Sequence, residues 1–343
     1  MTSLYVDRRD VHLRHDAGAI VFYENGQRSA TVPLAPLTRV ILRGKVTLEA
    51  SLLAHLGGHG IGVLFMTGRQ GQPSLLLGRA HNDTTRRVAQ TQRSLQADFC
   101  LDYARTLVHA KLGHQLQWLD ALRHSHPEHR YPLTHALEQL HCQQAGLARV
   151  NTLEGLRGTE GAAAACYFAG LRTVVPAALG FHERNRRPPR DPFNALLSLT
   201  YTLLMAETAV ALHIAGYDPC IGYYHQLIHA RESLACDVME PLRPLADQLC
   251  LRLVQDHTLS AEHFRTTDAG CLLGKAGRTR YYAGYETHAG PLRRALRAQV
   301  QNLARRINPE LPVPDTELQP QFEEDESALP WVPQTTPTAG VAP

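Results

Sequence analysis

The 343-residue chain carries 35 Lys and Arg against 32 Asp and Glu, a formal net charge of +3, and is 44% hydrophobic. That composition excludes wholesale disorder and collagen-like or coiled-coil architectures, and the length suggests two domains. The charge is uneven: three of the cations are Lys (Lys45, Lys111, Lys275), and residues 311–343 hold six acids and no Lys or Arg, which leaves the rest of the chain at +9. An Arg surplus suits phosphate ligands, which guanidinium groups bind bidentately; a GC-rich genome would produce the same bias. Asp7, Arg8, Arg9 and Asp10 argue against a secretory signal, and seven Cys without a CxxC pair read as reduced cytosolic thiols.

Residues 1–81 read as a small β-rich domain. Short apolar or alternating runs at 4–6, 19–23, 38–42, 61–65 and 74–77 predict strands. Glu24-Asn25-Gly26-Gln27 predicts a hairpin with a type I′ turn, since Asn-Gly supplies two positive-φ residues. A short helix is expected at 48–56, stopped by Gly57-Gly58.

From about Asn82 the pattern turns helical, and 82–310 reads as a larger all-α domain. Apolar spacing predicts helices within 86–122, 135–149, 160–171, 242–256 and 290–307. Asp191-Pro192 opens a further long helix, with Asp as N-cap and Pro in the first turn, and Gly216 ends it. Residues 195–215 are almost wholly apolar, yet Glu207 sits among them, so a buried central helix is favoured over a membrane span. Residues 311–343 contain seven Pro and read as a disordered acidic tail. The fold class is therefore α+β, a sandwich-like N-terminal domain followed by a helical one.

Three segments carry candidate chemistry. Leu156-Arg157-Gly158-Thr159-Glu160-Gly161 puts a carboxylate near a helix start, where it serves either as a cap or as a ligand. Gly222-Tyr223-Tyr224-His225 follows an Asp218-Pro219 turn. In Ser233–Pro244, Asp237 and Glu240 share a helix face; a divalent metal, Arg231 or Arg243 would relieve their repulsion. Two carboxylates and an imidazole suit Mg2+ or Mn2+. No P-loop, GxGxxG or GxSxG motif accompanies them.

These segments, in this order, resemble the CRISPR-associated protein one family of spacer integrases and endonucleases. The stretches are LRGTEGAAAACYF at 156–168, RNRRPPRDPFNALLSLTYTLL at 184–204, GYYH at 222–225 and SLACDVMEPLRP at 233–244. The resemblance covers about residues 1–308. It implies that Glu160, His225 and Glu240 are metal ligands and that Asp237 supports them in the catalytic set. Arg186, Arg187, Arg231 and Arg243 become candidate DNA contacts, and Asn194 and Tyr201 supporting residues. Tyr224 stands where the family usually has an aliphatic residue. The implied activity is joining of 3′-hydroxyl ends of short foreign DNA fragments into the leader–repeat end of a CRISPR array, with metal-dependent cleavage of branched or single-stranded DNA as the alternative. The implied partners are double-stranded DNA (protospacer and repeat), a second copy bound through the β domain, and a dimer of CRISPR-associated protein two. No membrane role is expected, and the implied location is the prokaryotic cytoplasm. The arginines at 278, 280, 293, 294, 297, 305 and 306 form either a DNA-binding face or the solvated outside of the C-terminal helices.

Overall fold

The computed structural model describes residues 2–66, 73–78, 83–185, 188–225, 232–268 and 270–314. The N-terminal strands are β1 (Thr2–Asp7), β2 (Val11–Asp16), β3 (Ala19–Glu24), β4 (Gln27–Pro33), β5 (Leu37–Arg43), β6 (Val46–Leu48), β7 (Gly62–Phe65) and β8 (Ser74–Leu76). They form two four-stranded sheets, β1-β5-β7-β8 and β4-β3-β2-β6. The expected hairpin joins β3 to β4: Glu24 pairs with Gln27, and Asn25 and Gly26 take φ of 51° and 78°. Strands β2, β4 and β6 lie outside the apolar runs read from the sequence. β4 is almost fully exposed, so its side chains carry little apolar signal.

Period-two alternation in the first sheet serves two cores at once. Val40, Leu42 and Val63 pack with Leu13, Phe22, Leu52 and Leu56 inside the sandwich, and the last two come from α1 (Ala50–Gly58). Ile41 and Leu64 point the other way and join the helical core.

The helical region contains α2 (Thr84–Ser94), α3 (Ala97–Ser125), α4 (Arg130–Gly146), α5 (Leu153–Arg172), α6 (Pro192–Ile214), α7 (Ser233–Met239), α8 (Arg243–Gln255), α9 (Lys275–His288) and α10 (Gly290–Ile307). The expected stretch at 86–122 is two helices. They part at Leu95-Gln96, where the Ser94 hydroxyl turns back onto the Thr91 carbonyl. A short hairpin, β9 (Phe264–Thr267) with β10 (Gly270–Leu273), interrupts what read as all-α. Its Gly270 has a φ of 114° and lies so close to Pro188 and the Pro189 carbonyl that a side chain would not fit.

Helix α6 begins as expected: the Asp191 carboxylate accepts from Asn194 N, and Gly216 ends it at a φ of 86°. By length and composition it is apolar enough to cross a membrane, yet Phe193, Leu196, Leu197, Leu204 and Leu212 lie in the protein core. Its buried Glu207 meets Arg39 of β5 at 2.6 Å and Arg293 of α10 at 3.0 Å. Arg293 also bonds Glu286 of α9, which accepts from the Tyr5 hydroxyl of β1 at 2.7 Å. This ionic network rivets the first sheet to three helices. It also decides part of the question of the C-terminal arginines: Arg293 is spent inside, Arg278 pairs with Asp7 and Arg306 with Asp102.

Candidate active site

The sequence placed Glu160 near a helix start, and the structure corrects this. Thr152 is the N-cap of α5, its hydroxyl accepting from Gly155 N, and Glu154 occupies the first turn. Glu160 therefore stands two turns further in, on the face that packs toward α3, and is a side chain aimed sideways into the fold with no capping duty.

His225 lies at the end of the described loop from α6. That loop is held from below by Gln90 of α2, which is fully buried. Its amide donates to the carbonyls of Asp218 and Ile221 and accepts from Asp218 N. At Gly222 the loop rides directly on the backbone of Ser233 and Leu234, where an added Cβ would come within 2.8 Å. Asp237 then fixes the loop end. Its Oδ2 accepts from the backbone of Tyr223 and Tyr224, and its Oδ1 accepts from the backbone of His225 at 2.9 Å and from His225 Nδ1 at 2.7 Å. With both oxygens so engaged at zero exposure, Asp237 orients the imidazole and leaves Nε2 facing the cleft.

Glu240 follows α7 as its C-cap, in a short 3-10 turn carrying Pro241. Its Oε1 is 3.9 Å from His225 Nε2 and 2.9 Å from Arg243 Nε; its Oε2 accepts from Lys111 Nζ at 2.7 Å. The same ammonium makes a very short contact with Glu160 Oε1. Burial alone would raise the Glu240 carboxyl, but Arg243 and then Lys111 overcome it and hold the group far below the usual carboxylate range. Tyr224, buried behind the site, donates its hydroxyl to Glu160 Oε2 at 2.5 Å. Burial, then the Glu160 charge, push that phenol well above its ordinary range.

A cleft of about 230 Å³ unites Glu160, His225, Glu240, Lys111, Arg243 and Arg184. Tyr201 forms part of its wall. Arg243 stacks over the Tyr201 ring at 4.6 Å, and the Tyr201 hydroxyl donates to Asp247 at 2.5 Å. Asp247 also accepts from Tyr167, and burial pushes its carboxyl up to about 6. Asn194 acts one step back: its side-chain amide holds Asp191, the Glu183 carbonyl, Asn185 N and Arg184, and so shapes the loop before α6. Arg243, expected as a DNA contact, is half-buried beside Glu240 and lines the cleft. Arg186, Arg187 and Arg231 lie outside the described residues.

Among the described residues no three His, Cys, Asp or Glu side chains stand close enough, as arranged, to hold one ion. The reason is Lys111, whose ammonium lies between the two glutamates. The donor set otherwise fits a hard divalent cation: two carboxylates, and an imidazole whose other nitrogen is tied to an aspartate. Sequence reasoning missed Lys111, Tyr224 as a donor, and Asp247. Lys111 is the lone lysine of a long amphipathic helix, and its i,i+3 and i,i+4 neighbours gave no hint of a partner 49 and 129 residues away.

The model of the CRISPR associated protein Cas1 family matches residues 4–287. The chain belongs to that family. It is 37% identical over 310 residues to CRISPR-associated endonuclease Cas1 1 of Thermodesulfovibrio yellowstonii, covering 90% of this chain and 97% of that one. In fold it is similar to a casposase bound to integration product, at TM-score 0.78 and 19% identity over 95% of this chain and 97% of the other. It is also similar to the structure titled Cas6-RT-Cas1–Cas2 complex, at TM-score 0.76 and 23% identity, over 94% of this chain and 36% of that one. The α+β architecture expected from sequence, strands first and helices after, is that of this Cas1 chain.

Proposed function

We propose that this Cas1 chain is a metal-dependent DNA strand transferase of CRISPR adaptation. It would join the 3′-hydroxyl ends of short foreign fragments to the leader–repeat end of an array. The observation that carries the reading is the convergence of Glu160, His225 and Glu240, from three separate segments, on one cleft walled with arginine and lysine. Glu160, His225 and Glu240 would hold Mg2+ or Mn2+, which when bound polarises the phosphodiester and lowers the cost of an attacking hydroxyl.

The protein's own groups do the rest. Asp237 holds His225 with Nε2 toward the cleft, where the imidazole would offer its free nitrogen to the ion. Arg243 is held on the Tyr201 ring, so it offers its charge to the phosphorane-like transition state without reorganising. In the transfer, the 3′-oxygen bonds to phosphorus while the bond from phosphorus to the array's own 3′-oxygen breaks. One phosphodiester replaces another, and the absence of a nucleotide-binding motif accords with that balance.

Double-stranded DNA as substrate is supported by the likeness to a casposase bound to integration product, and Cas2 as partner by the likeness to a complex containing Cas2. Among the described residues the N-terminal sheets contribute no side chain to the cleft, in keeping with a role in pairing two copies. The prokaryotic cytoplasm is the compartment such a substrate requires. The test is half-site integration of a labelled fragment into a leader–repeat plasmid, with Mn2+, with and without Cas2. Glu160→Ala must abolish it, and blocking the fragment's 3′ ends must abolish joining. Cleavage that persists without any joining would favour the alternative, a nuclease on branched or single-stranded DNA.

A further inference from the structure

Lys111 occupies the space that a metal shared by Glu160 and Glu240 would need. Its ammonium touches Glu160 Oε1 and lies 2.7 Å from Glu240 Oε2, and its side chain is only 6% exposed. Arg243 supplies a second positive charge to Glu240. Two carboxylates already balanced by two cations would face a surplus of two charges if a divalent ion simply joined them. One resident cation must give way. Arg243 is pinned on the Tyr201 ring, whereas a lysine ammonium sits on a flexible four-carbon stem.

A destination for that ammonium is already built. Gln115 lies one helical turn along α3 from Lys111, lines the same cleft, and is 2% exposed. Its side-chain carbonyl Oε1 is buried and accepts no hydrogen bond. A buried acceptor left without a donor is costly, and residues four apart on a helix face each other.

We propose that Lys111 is a two-position cation. It holds Glu160 and Glu240 together while the protein is free of metal, and it moves onto the Gln115 carbonyl when a divalent ion enters. Lys111 is thus a positioning residue that keeps buried Glu240 and half-buried Glu160 from repelling each other, and it sets the threshold for metal loading. This rests on the reading of Glu160, His225 and Glu240 as metal ligands.

The two residues make opposite predictions, and neither is a metal ligand. The affinity of the full chain for Mn2+ alone, without DNA, is measured from the electron paramagnetic resonance signal of the free ion. Thermal melts in chelator and in Mn2+ accompany it. Lys111→Met removes the competitor: Mn2+ binding tightens about tenfold, the metal-free protein melts lower than wild type, and Mn2+ raises its melting temperature by more. Gln115→Leu removes the receiving carbonyl: Mn2+ binding weakens severalfold while the metal-free protein melts no lower. If Lys111→Met does not accumulate in folded form, Gln115→Leu decides alone. Unchanged or weaker Mn2+ binding in Lys111→Met, or unchanged binding in Gln115→Leu, overturns the proposal. A wild-type protein that takes up no Mn2+, or a Glu160→Ala variant that takes it up as wild type does, overturns the metal reading and this one with it.

Discussion

Glu207 is the centre of the ionic network that joins the N-terminal sheet to the helices, and Glu207→Leu is the sharpest test of that role. Its carboxylate lies 2.6 Å from Arg39 and 3.0 Å from Arg293. At an effective dielectric constant near 20, charges about 4 Å apart attract by about 4 kcal/mol, before desolvation is subtracted. Leucine removes both attractions. Arg293 keeps Glu286, but Arg39 keeps no other ion pair among the described residues, and its Nε is already buried without an acceptor. Leaving such a charge uncompensated costs about 3–5 kcal/mol, which for a chain of this length corresponds to a melting temperature lower by about 5–8 °C. Urea and thermal melts of the single variants Glu207→Leu and Arg39→Met, and of the double variant, form a cycle. The double variant should recover at least half of the loss, because it removes the orphaned guanidinium as well. A cost below about 1 kcal/mol for Glu207→Leu, or strict additivity in the double variant, would refute the claim that these charges hold the sheet to the helices.

Asp237→Asn should lower Mn2+ affinity and strand transfer by about 10–100-fold with little change in substrate binding, since the amide cannot hold both the loop amides and His225 Nδ1; isothermal titration and single-turnover assays check it. Tyr224→Phe removes one donor from Glu160 and should be tolerated, with strand transfer reduced by less than about tenfold and stability by about 1–2 kcal/mol, measured by gel assay and urea melt. Asp247 makes a pH prediction. Its folded carboxyl is raised from 3.8 to about 6 by burial, so its contribution is fully favourable below pH 4 and is lost as pH rises through 6. Wild type should therefore lose roughly 3 kcal/mol relative to Asp247→Asn between pH 4 and pH 8, read from urea melts across that range.

What the sequence disclosed follows from which interactions are local. The Asn25-Gly26 hairpin and the Asp191-Pro192 helix start were legible because a turn and a cap are made by neighbours in the chain. Gly216 likewise announced its own positive φ. The cut between α2 and α3 was hidden, because apolar spacing runs on through Leu95, which is in fact 81% exposed. Glu160 was identified as chemically interesting, yet its setting was misplaced because Thr152, eight residues earlier, caps the helix. Phe264–Thr267 and Gly270–Leu273 carry no period-two alternation, so the β9–β10 hairpin left no strand signal within the surrounding helical pattern. Lys111, Gln115 and Asp247 were not legible at all, because their meaning lies wholly in partners brought by tertiary packing.

The cleft is assembled from segments spread along the chain, Lys111 and Glu240 being 129 residues apart. At about 5–20 residues per second, a ribosome needs roughly 6–26 s to pass from one to the other. For the later part of that interval the emerging polypeptide carries Glu160 with no Glu240 beside it and no Asp237 to aim an imidazole. A chain broken off before Asp237 has neither the held imidazole nor the second glutamate, and so lacks a complete pocket.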